Sequence, residues 1–384
     1  MAARTKLTLS LFVSVFLLST TALPTAPSSQ PAAPSPQQQA DLSGDLAAPA
    51  WLPARDTELL KSKIEDGIIT IHAVVSADGT GNHTTIGAAI DAAPRRSSGR
   101  FVVHVKAGIY HEYLNVGEDV WNLILVGEGM DNTVVTGNKS VKGGCNTMSS
   151  ATVTVQGVGF IAQDISFENT AGALMNQAVA LLSSSDKSVL LRCGLRGYQD
   201  TLYAYSKVQF YRECHIYGTV DFIFGDAAAL FQNCTIFARL PIKGQPNTIT
   251  AQGRLDPTKN TGFSFQHCTV SADDELARAN FTVKTFLGRP WTAYSRVVFM
   301  QSYLSQVVDP EGWIPWNESR FNLDTLYYGE FSNGGPGASL TQRVTWPGVH
   351  NNLTASEASN FTAKILISGD EWLSSTGVNY TSGL

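Results

Sequence analysis

Charged residues are scarce in this sequence. Asp, Glu, Lys and Arg make up 15% of the 384 residues, and the formal net charge is −5. A typical soluble domain has about 25% charged residues, so this surface must rely on neutral polar groups and on its 33 glycines. No run of Lys or Arg stands out, which argues against nucleic-acid binding. The composition also excludes coiled coils and long charged tails over most of the length.

Long apolar runs are also scarce. The apolar segment at residues 7–18 follows Arg4 and Lys6 and precedes several small residues. It is shorter than the roughly 20 residues of a membrane span. Basic residues followed by an apolar segment and then by small residues are typical of a secretory signal peptide. We therefore expect a signal peptide at residues 1–22, no membrane span, and secretion. Eight Asn-x-Ser/Thr sequons agree with that route and are candidate glycosylation sites: Asn82, Asn138, Asn233, Asn280, Asn317, Asn352, Asn360 and Asn379.

Several chemical signatures are missing. Neither the five cysteines nor the seven histidines have the spacing of metal ligands, so we expect no metal and no other cofactor. No Gly-x-Ser-x-Gly element is present, which argues against a Ser-His-Asp esterase.

The sequence divides into an apolar-poor segment and one long domain. Residues 23–66 include a stretch rich in Pro, Ala, Ser and Gln with almost no aromatics, which is typical of a linker or a short pro-segment. Residues 67–384 continue without an obvious linker, and the first strand-like run is Ile69–Val75. One helix is predicted within this domain, at Ile86–Ala93. The rest favours an all-β fold, because short β-branched and aromatic runs alternate with turn residues. Examples of these runs are Phe101–Val105, Leu123–Val126, Ala151–Val155, Ser188–Leu191, Val208–Tyr211, Leu230–Phe231 and Arg296–Met300.

A repeat is visible in four of these runs, which are followed by Cys193, Cys214, Cys234 and Cys268. The first intervals are 214 − 193 = 21 and 234 − 214 = 20 residues. A repeat of 20 to 25 residues made of strands and turns is typical of a parallel β-helix, in which each coil buries its face on the next. A β-sandwich remains the alternative, but it has no reason to keep this register.

Two aspartates follow the same repeat. Asp200 and Asp221 each lie seven residues after a cysteine (200 − 193 and 221 − 214). Strands of adjacent coils are about 4.8 Å apart, so the carboxyl groups should nearly stack and one of them should keep its proton. The alternative is a pair of solvent-exposed turn aspartates. Aromatic neighbours and the nearby amides of Gln177 and Gln199 favour a catalytic pair.

At these residues the sequence resembles the plant pectin methylesterases, or pectinesterases. The similarity extends in order from about Ile69 to Leu384. Its matching segments are Gly108-Ile-Tyr-His-Glu112, Gln177-Ala-Val-Ala-Leu181, Gly197-Tyr-Gln-Asp-Thr-Leu202, Gly218-Thr-Val-Asp-Phe-Ile-Phe-Gly225, Thr250-Ala-Gln-Gly-Arg254, Leu287-Gly-Arg-Pro-Trp291, Asp324-Thr-Leu-Tyr-Tyr328 and Ser375-Thr-Gly-Val378.

The resemblance implies a right-handed parallel β-helix that hydrolyses methyl esters of galacturonate units in pectin. Asp221 would be the nucleophile, and Asp200 would act first as the general acid and then as the general base. Gln177 and Gln199 would donate hydrogen bonds to the oxyanion. Arg289 would keep Asp221 ionised and face the substrate.

The resemblance also implies substrate contacts and partners. Trp291 would offer a flat face to a sugar ring, and Thr147 matches a substrate-contacting threonine. Tyr198, Phe222 and Trp313 are weaker cleft candidates. The expected partners are methylated pectin in the cell wall and a proteinaceous pectinesterase inhibitor, and the enzyme is expected to be a monomer.

The family pairs the cysteines at positions 214 and 234, so a disulfide is expected there, with Cys193 and Cys268 as buried thiols. The sequence departs from the family at Leu182, where many relatives carry arginine, and at Asp226, which replaces an asparagine. Many relatives also carry a helical, inhibitor-like pro-region. Fewer than about fifty residues separate the expected signal peptide from the first strand, which is too few for a four-helix bundle, so we expect the catalytic domain without that region.

Three other functions remain to be weighed. In a glycoside hydrolase the two carboxylates would flank a glycosidic bond, but the two glutamines and the lack of a Gly-His-Gly segment argue against it. A calcium-dependent lyase would need a cluster of carboxylates, and none is apparent. A non-catalytic wall-binding protein would tolerate the loss of the aspartates, the glutamines or Arg289, and all of them are present.

Overall fold

The structure is a computed structural model that describes residues 70–317 and 320–384. The predicted signal peptide (1–22), the predicted linker (23–66) and the first three residues of the predicted catalytic domain lie outside the described residues. Within those residues, no helix is both long enough and apolar enough to cross a membrane.

The described chain coils through three parallel sheets. Its strands are numbered along the chain, and from the second strand to the twenty-fourth they enter the three sheets in strict rotation. The first sheet contains, in spatial order, β1 (Ala73–Val75), β2 (Phe101–Val105), β5 (Leu123–Val126), β8 (Ile161–Gln163), β11 (Ser188–Leu191), β14 (Val208–Arg212), β17 (Ala228–Gln232), β20 (Gly262–Gln266), β23 (Arg296–Met300), β25 (Tyr327–Phe331) and β26 (Val349–His350).

The other two sheets complete each coil. The second contains β3 (Gly108–Tyr110), β6 (Thr133–Gly137), β9 (Ser166–Asn169), β12 (Gly194–Arg196), β15 (His215–Gly218), β18 (Thr235–Ala238), β21 (Thr269–Ala272) and β24 (Tyr303–Leu304). The third contains β4 (Leu114–Val116), β7 (Val153–Val155), β10 (Leu181–Ser183), β13 (Leu202–Ala204), β16 (Ile223–Gly225), β19 (Asn247–Gln252) and β22 (Thr285–Gly288). The predicted parallel β-helix is confirmed.

The α-helices of the described ranges are short. They are α1 (Ile86–Asp91), α2 (Asp274–Ala277), α3 (Ala355–Ser359) and α4 (Ala363–Leu366). The predicted helix corresponds to α1, which begins where the Thr85 hydroxyl accepts the Ala88 N–H. Apolar residues of α4 and the segment after it pack on the outer face of the first sheet, against strands such as β8 and β11. The three later helices have four or five residues each, too few to show a helical period in the sequence.

A left-handed residue makes the corner between the first and second sheets. Arg192, Glu213, Asn233 and His267 have φ between 49° and 55°, and each directly precedes one of the repeating cysteines. In the first sheet, ring stacking runs along the coils, with centroids 4.6, 4.5 and 4.4 Å apart from Tyr211 through Phe231 and Phe265 to Phe299. This constant coil-to-coil register is the physical basis of the sequence repeat.

The structure corrects the expected Cys214–Cys234 disulfide, because both residues are free thiols. In-register residues of adjacent parallel strands carry side chains that point the same way and lie about 4.8 Å apart, whereas a disulfide needs converging Cβ atoms roughly 3.5–4.5 Å apart. The Cys214 thiol lies instead 3.4 Å from the Leu190 and Arg212 carbonyl oxygens. The expectation of buried thiols at Cys193 and Cys268 is confirmed.

Candidate active site

The two predicted aspartates occupy equivalent corners of adjacent coils, between the second and third sheets. Asp200 and Asp221 both have left-handed backbone, with φ of 65° and 52°, a conformation that aspartate tolerates better than most residues. Just beyond them Leu202 pairs with Ile223, and the Asp200 N–H donates to the Val220 carbonyl at 3.0 Å. The structure therefore aligns the pair as the sequence repeat indicates.

A pocket of about 310 Å³ lies over these corners. The side chains of Asp200 and Asp221 line it, although the two residues are only 7% and 5% exposed, so they are not solvent-exposed turn aspartates. The pocket brings together seven residues singled out from the sequence: Thr147, Gln177, Gln199, Asp200, Asp221, Arg289 and Trp291.

The Asp221 carboxylate is held by three hydrogen bonds. Arg289 Nε donates to Oδ1 at 2.7 Å, and Arg289 Nη2 donates to Oδ2 at 2.6 Å. The third donor is the Thr248 hydroxyl, which lies 2.7 Å from Oδ1. A bidentate guanidinium is the strongest common partner of a carboxylate, so this group is fixed in place and its negative charge is balanced.

The Asp200 carboxyl group has a different environment. Burial raises its pKa well above the usual value, the negative charge of Asp221 raises it further, and the Arg289 charge lowers it. A buried carboxyl next to a charged carboxylate keeps its proton at a pH where an exposed aspartate has lost it. The site thus holds a proton donor beside an ionised carboxylate.

Arg289 is itself fixed from two sides. Its backbone N–H donates to the Thr250 carbonyl at 2.9 Å, and its guanidinium lies 4.4 Å from the ring centroid of Trp316. Burial lowers the Arg289 pKa, but the hydrogen bond and the charge of Asp221 outweigh burial, so the net shift is upward. The guanidinium stays charged.

Two amide side chains face the same pocket. Gln199 directly precedes Asp200, and Gln177 lies in the loop between β9 and β10. The backbone of this loop is tied to the next coil, because the Ala178 N–H donates to the Gln199 carbonyl at 3.1 Å. Within the described part of the chain, neither side-chain amide makes a hydrogen bond. Both amides can therefore donate to a bound group.

An aromatic wall completes the pocket. Tyr203 and Phe224 stack at 4.0 Å between centroids, and Trp291, which is 37% exposed, lies edge-on to both. Gly253 leaves the space for that ring, since a Cβ there would lie 2.7 Å from Trp291. Sequence reasoning missed five lining residues: Met148, Tyr203, Phe224, Ala251 and Trp316. Tyr203 and Phe224 could have been found, because each lies three residues after an active-site aspartate.

The structure corrects three cleft candidates. Phe222 and Trp313 are fully buried and belong to the core inside the coils, where Trp313 stacks on Tyr328 at 4.3 Å. Tyr198 does not line the pocket, and its ring lies 4.0 Å from the guanidinium carbon of Arg239. Sequence proximity to the aspartates gives no side-chain direction, and Phe222 points inward as the first residue beyond the corner.

The two departures from the family pattern lie beside the pocket rather than in it. Leu182 is buried and lines a neighbouring depression that shares Met148 with the pocket. Asp226 accepts hydrogen bonds from Lys259 Nζ at 3.3 Å and from the Thr261 hydroxyl. The added negative charge is therefore paired locally. Among residues 70–317 and 320–384, no cluster of three His, Cys, Asp or Glu could hold a metal ion.

Comparisons with known proteins identify the family to which the chain is similar. The model of the Pectinesterase family matches residues 72–370. A probable pectinesterase/pectinesterase inhibitor 32 of Arabidopsis thaliana is 53% identical over 342 residues, covering 89% of this chain and 64% of the relative. The pectinesterase/pectinesterase inhibitor PPE8B of Prunus persica is 50% identical over 335 residues, covering 87% of this chain and 63% of the relative. The chain thus spans less than two thirds of these curated relatives.

Two solved structures resemble the chain over most of their length. Pectin methylesterase from carrot superposes with a TM-score of 0.81 at 46% identity, covering 82% of this chain and 99% of that structure. Pectin methylesterase from Aspergillus niger superposes with a TM-score of 0.66 at 29% identity, covering 78% and 94%.

Proposed function

Because the chain belongs to the pectinesterase family, we propose that it hydrolyses the methyl esters of galacturonate units in pectin, releasing methanol and leaving free carboxylates. One observation carries the proposal. An ionised carboxylate, Asp221, is clamped by Arg289 beside the protonated carboxyl of Asp200 in a single pocket. Ester hydrolysis through a covalent intermediate needs one nucleophile and one proton carrier.

In the first half-reaction the Asp221 carboxylate attacks the ester carbonyl carbon. The carbonyl electron pair moves to its oxygen, and the amides of Gln177 and Gln199 donate hydrogen bonds to that oxyanion. When the tetrahedral intermediate collapses, the bond to the methoxy oxygen breaks and Asp200 gives its proton to that oxygen. Methanol leaves, and the galacturonate acyl group is joined to Asp221 as an anhydride.

In the second half-reaction water cleaves that anhydride. Asp200, now ionised, takes a proton from the water as its oxygen attacks the galacturonate carbonyl carbon. The bond to Asp221 breaks, and its electron pair returns to the carboxylate. The polymer then dissociates with a free carboxyl group on that galacturonate unit, while Asp221 is charged and Asp200 is protonated again.

The pocket walls suit a uronic-acid polymer. Trp291 presents an exposed aromatic face of the kind that packs on a sugar ring, and Thr147 lies among the lining residues beside it. The Arg289 guanidinium provides a positive charge within the same pocket. We therefore assign Trp291 and Thr147 to substrate binding and Arg289 to both binding and nucleophile support.

A single digest of methylated pectin by the purified protein tests the function. The digest is monitored by methanol release, by acid titration and by viscosity. We expect methanol and acid in equal amounts with no loss of viscosity, and no methanol from Asp221→Asn. Asp164→Asn is the matched control, because Asp164 is paired with Arg192 outside the pocket. Rapid viscosity loss with new reducing ends would indicate a glycosidase, and unsaturated ends absorbing in the ultraviolet would indicate a lyase.

The site of action is part of the same proposal. We propose that the protein is secreted to the cell wall and glycosylated, supported by the signal-like residues 1–22 and by the sequons. Seven of the eight sequon asparagines are exposed, whereas Asn233 is half-buried. Deglycosylation of the secreted protein should therefore reduce its apparent mass. Two relatives are named pectinesterase/pectinesterase inhibitor, and a separate inhibitor protein that blocks methanol release would be a second partner.

A further inference from the structure

A buried threonine contacts the Asp221 nucleophile from the side away from the pocket. Thr248 lies in β19, is 1% exposed and is not among the pocket-lining residues. Its hydroxyl oxygen accepts the Asp221 backbone N–H at 2.8 Å, and its hydroxyl donates to Asp221 Oδ1 at 2.7 Å. Because an N–H can only donate and a carboxylate can only accept, the hydroxyl proton has one possible direction.

The backbone around Thr248 is equally constrained. The Thr248 N–H donates to the Thr219 carbonyl at 3.0 Å, and the Phe222 N–H donates to the Thr248 carbonyl at 3.3 Å. These bonds join the strand to residues on both sides of Asp221. The side-chain bonds then fix the left-handed corner and the rotation of the carboxylate together.

The two oxygens of Asp221 are therefore not equivalent. Oδ1 accepts from both Thr248 and Arg289 Nε, whereas among residues 70–317 and 320–384 the one donor to Oδ2 is Arg289 Nη2. Each carboxylate oxygen has about two acceptor positions. Both positions of Oδ1 are occupied, and one position of Oδ2 remains free.

From this asymmetry we infer that Thr248 is a positioning residue that makes Oδ2 the attacking oxygen of Asp221. The inference rests on the proposed ester hydrolysis. The free electron pair of Oδ2 forms the bond to the substrate carbonyl carbon, and Oδ1 becomes the carbonyl oxygen of the anhydride. Thr248 keeps its hydrogen bond to Oδ1 in that state. When water cleaves the anhydride, the bond to Oδ2 breaks and its electron pair returns to the carboxylate.

Three other ionisable groups act on this carboxylate. Asp200 lies on the adjacent coil, Arg289 follows β22, and Tyr328 of β25 lies behind the site, within the electrostatic reach of Asp221 and Arg289. Burial raises the pKa of the Tyr328 hydroxyl, so it stays neutral. Thr248 is the neutral donor to the ionised form of Asp221, and removing such a donor makes a carboxylate easier to protonate.

The test replaces the hydroxyl and keeps the shape. Thr248→Val should lower kcat by about tenfold to a hundredfold, the scale of one hydrogen bond to a charged group, with KM almost unchanged. The low-pH limb of its kcat/KM profile should move to higher pH. Thr248→Ser, which retains the hydroxyl, should recover most of kcat and the original limb.

Thr376→Val is the matched control. The Thr376 hydroxyl accepts the Val378 N–H at 3.2 Å and donates to the Leu373 carbonyl at 2.6 Å, so it has the same bonding pattern as Thr248 with a carbonyl in place of the carboxylate. Thr376 is buried and does not line the pocket. Both valine variants lose one buried hydroxyl and should lose thermal stability, but we expect Thr376→Val to keep the wild-type kcat and pH profile.

A second readout does not depend on activity. In protein labelled with ¹³C at the aspartate carboxyl carbons, and with Asp221→Asn used for assignment, the chemical shift of the Asp221 carboxyl carbon should change in Thr248→Val, because its oxygen loses a hydrogen bond. Thr248→Ala serves for the same measurement where the valine variant does not fold. The inference is overturned when Thr248→Val and Thr376→Val agree in kcat, in pH profile and in this chemical shift. A wild-type protein that releases no methanol would instead reject the proposed function, while the chemical shift would still decide the contact.

Discussion

Asp200 and Asp221 occupy equivalent corners of adjacent coils, yet the Arg289 guanidinium binds Asp221. Both Asp221 oxygens accept from that guanidinium at 2.7 and 2.6 Å, whereas the Asp200 carboxyl has no ion-pair partner within the described ranges. Burial and the Asp221 charge therefore act on Asp200 with little opposition and raise its pKa. A repeat that places two identical residues side by side thus yields two different carboxyl groups, as the proposed mechanism requires.

The different environments of the two aspartates predict unequal effects of replacing each one by asparagine. Asp221→Asn removes the nucleophile, so methanol release should fall to background. Asp200→Asn keeps the nucleophile but removes the proton carrier, and the rate should fall by roughly 10² to 10⁴. Steady-state methanol release and mass spectrometry of quenched enzyme measure both effects. Equal residual activity in the two variants would contradict this division of roles.

The raised pKa of Asp200 also predicts a gain in stability when the residue is replaced. The folded pKa lies above the unfolded value, so folding favours the protonated form. Wild-type Asp200 therefore lowers the free energy of unfolding. This destabilisation is absent below the unfolded pKa of about 3.9 and grows as the pH rises from there toward the folded pKa. Asp200→Asn should melt at a higher temperature than wild type near neutral pH, and the difference should shrink toward pH 3.5. A difference that is independent of pH would contradict the assignment.

The β-helix and the aspartate pair could be predicted because each coil adds strands at a nearly constant offset, whereas Arg289, Trp291 and Thr147 are indicated only by the family resemblance. The offset of 21 between Cys193 and Cys214 also separates Asp200 from Asp221. The period gives no side-chain direction, and Phe222 and Trp313, which are cleft candidates only through the family resemblance, are buried in the core. It also fails where coils lengthen, as between Cys234 and Cys268, which are 34 residues apart.

Two contacts in the site come from residues that follow longer connections between strands. Thr248 lies 27 residues after Asp221, so it does not follow the 21-residue offset. Trp316 belongs to a segment outside the strands that reaches over Arg289. Neither residue has a pattern in the sequence that marks it, because both contacts depend on how a longer connection returns to the coil.

The two amides should contribute to the rate rather than to binding. Gln177→Ala should lower kcat by about 10² to 10³, the scale of one oxyanion donor, with a smaller change in KM. Gln177→Glu is the informative companion, because it keeps the size of the side chain but replaces the amide donor with a carboxylate. We expect it to be at least as damaging as alanine. A variant that weakens KM and leaves kcat intact would assign Gln177 to ground-state substrate binding.

The geometry of Arg289, rather than its charge alone, should support the nucleophile. Arg289→Lys keeps a positive charge but cannot make the two parallel hydrogen bonds to Asp221 or the stacking on Trp316. We expect kcat to fall by about tenfold to a hundredfold or more, since each lost bond is to a charged group. The low-pH limb of the kcat/KM profile should also move to higher pH, because the carboxylate has lost a hydrogen bond from the guanidinium.

Arg192→Lys is the matched control. Arg192 binds Asp164 with two hydrogen bonds of 2.7 Å outside the pocket. That variant should lose stability and keep the wild-type kcat and pH profile, so an equal loss of kcat in both variants would mean that Arg289 acts only through the fold.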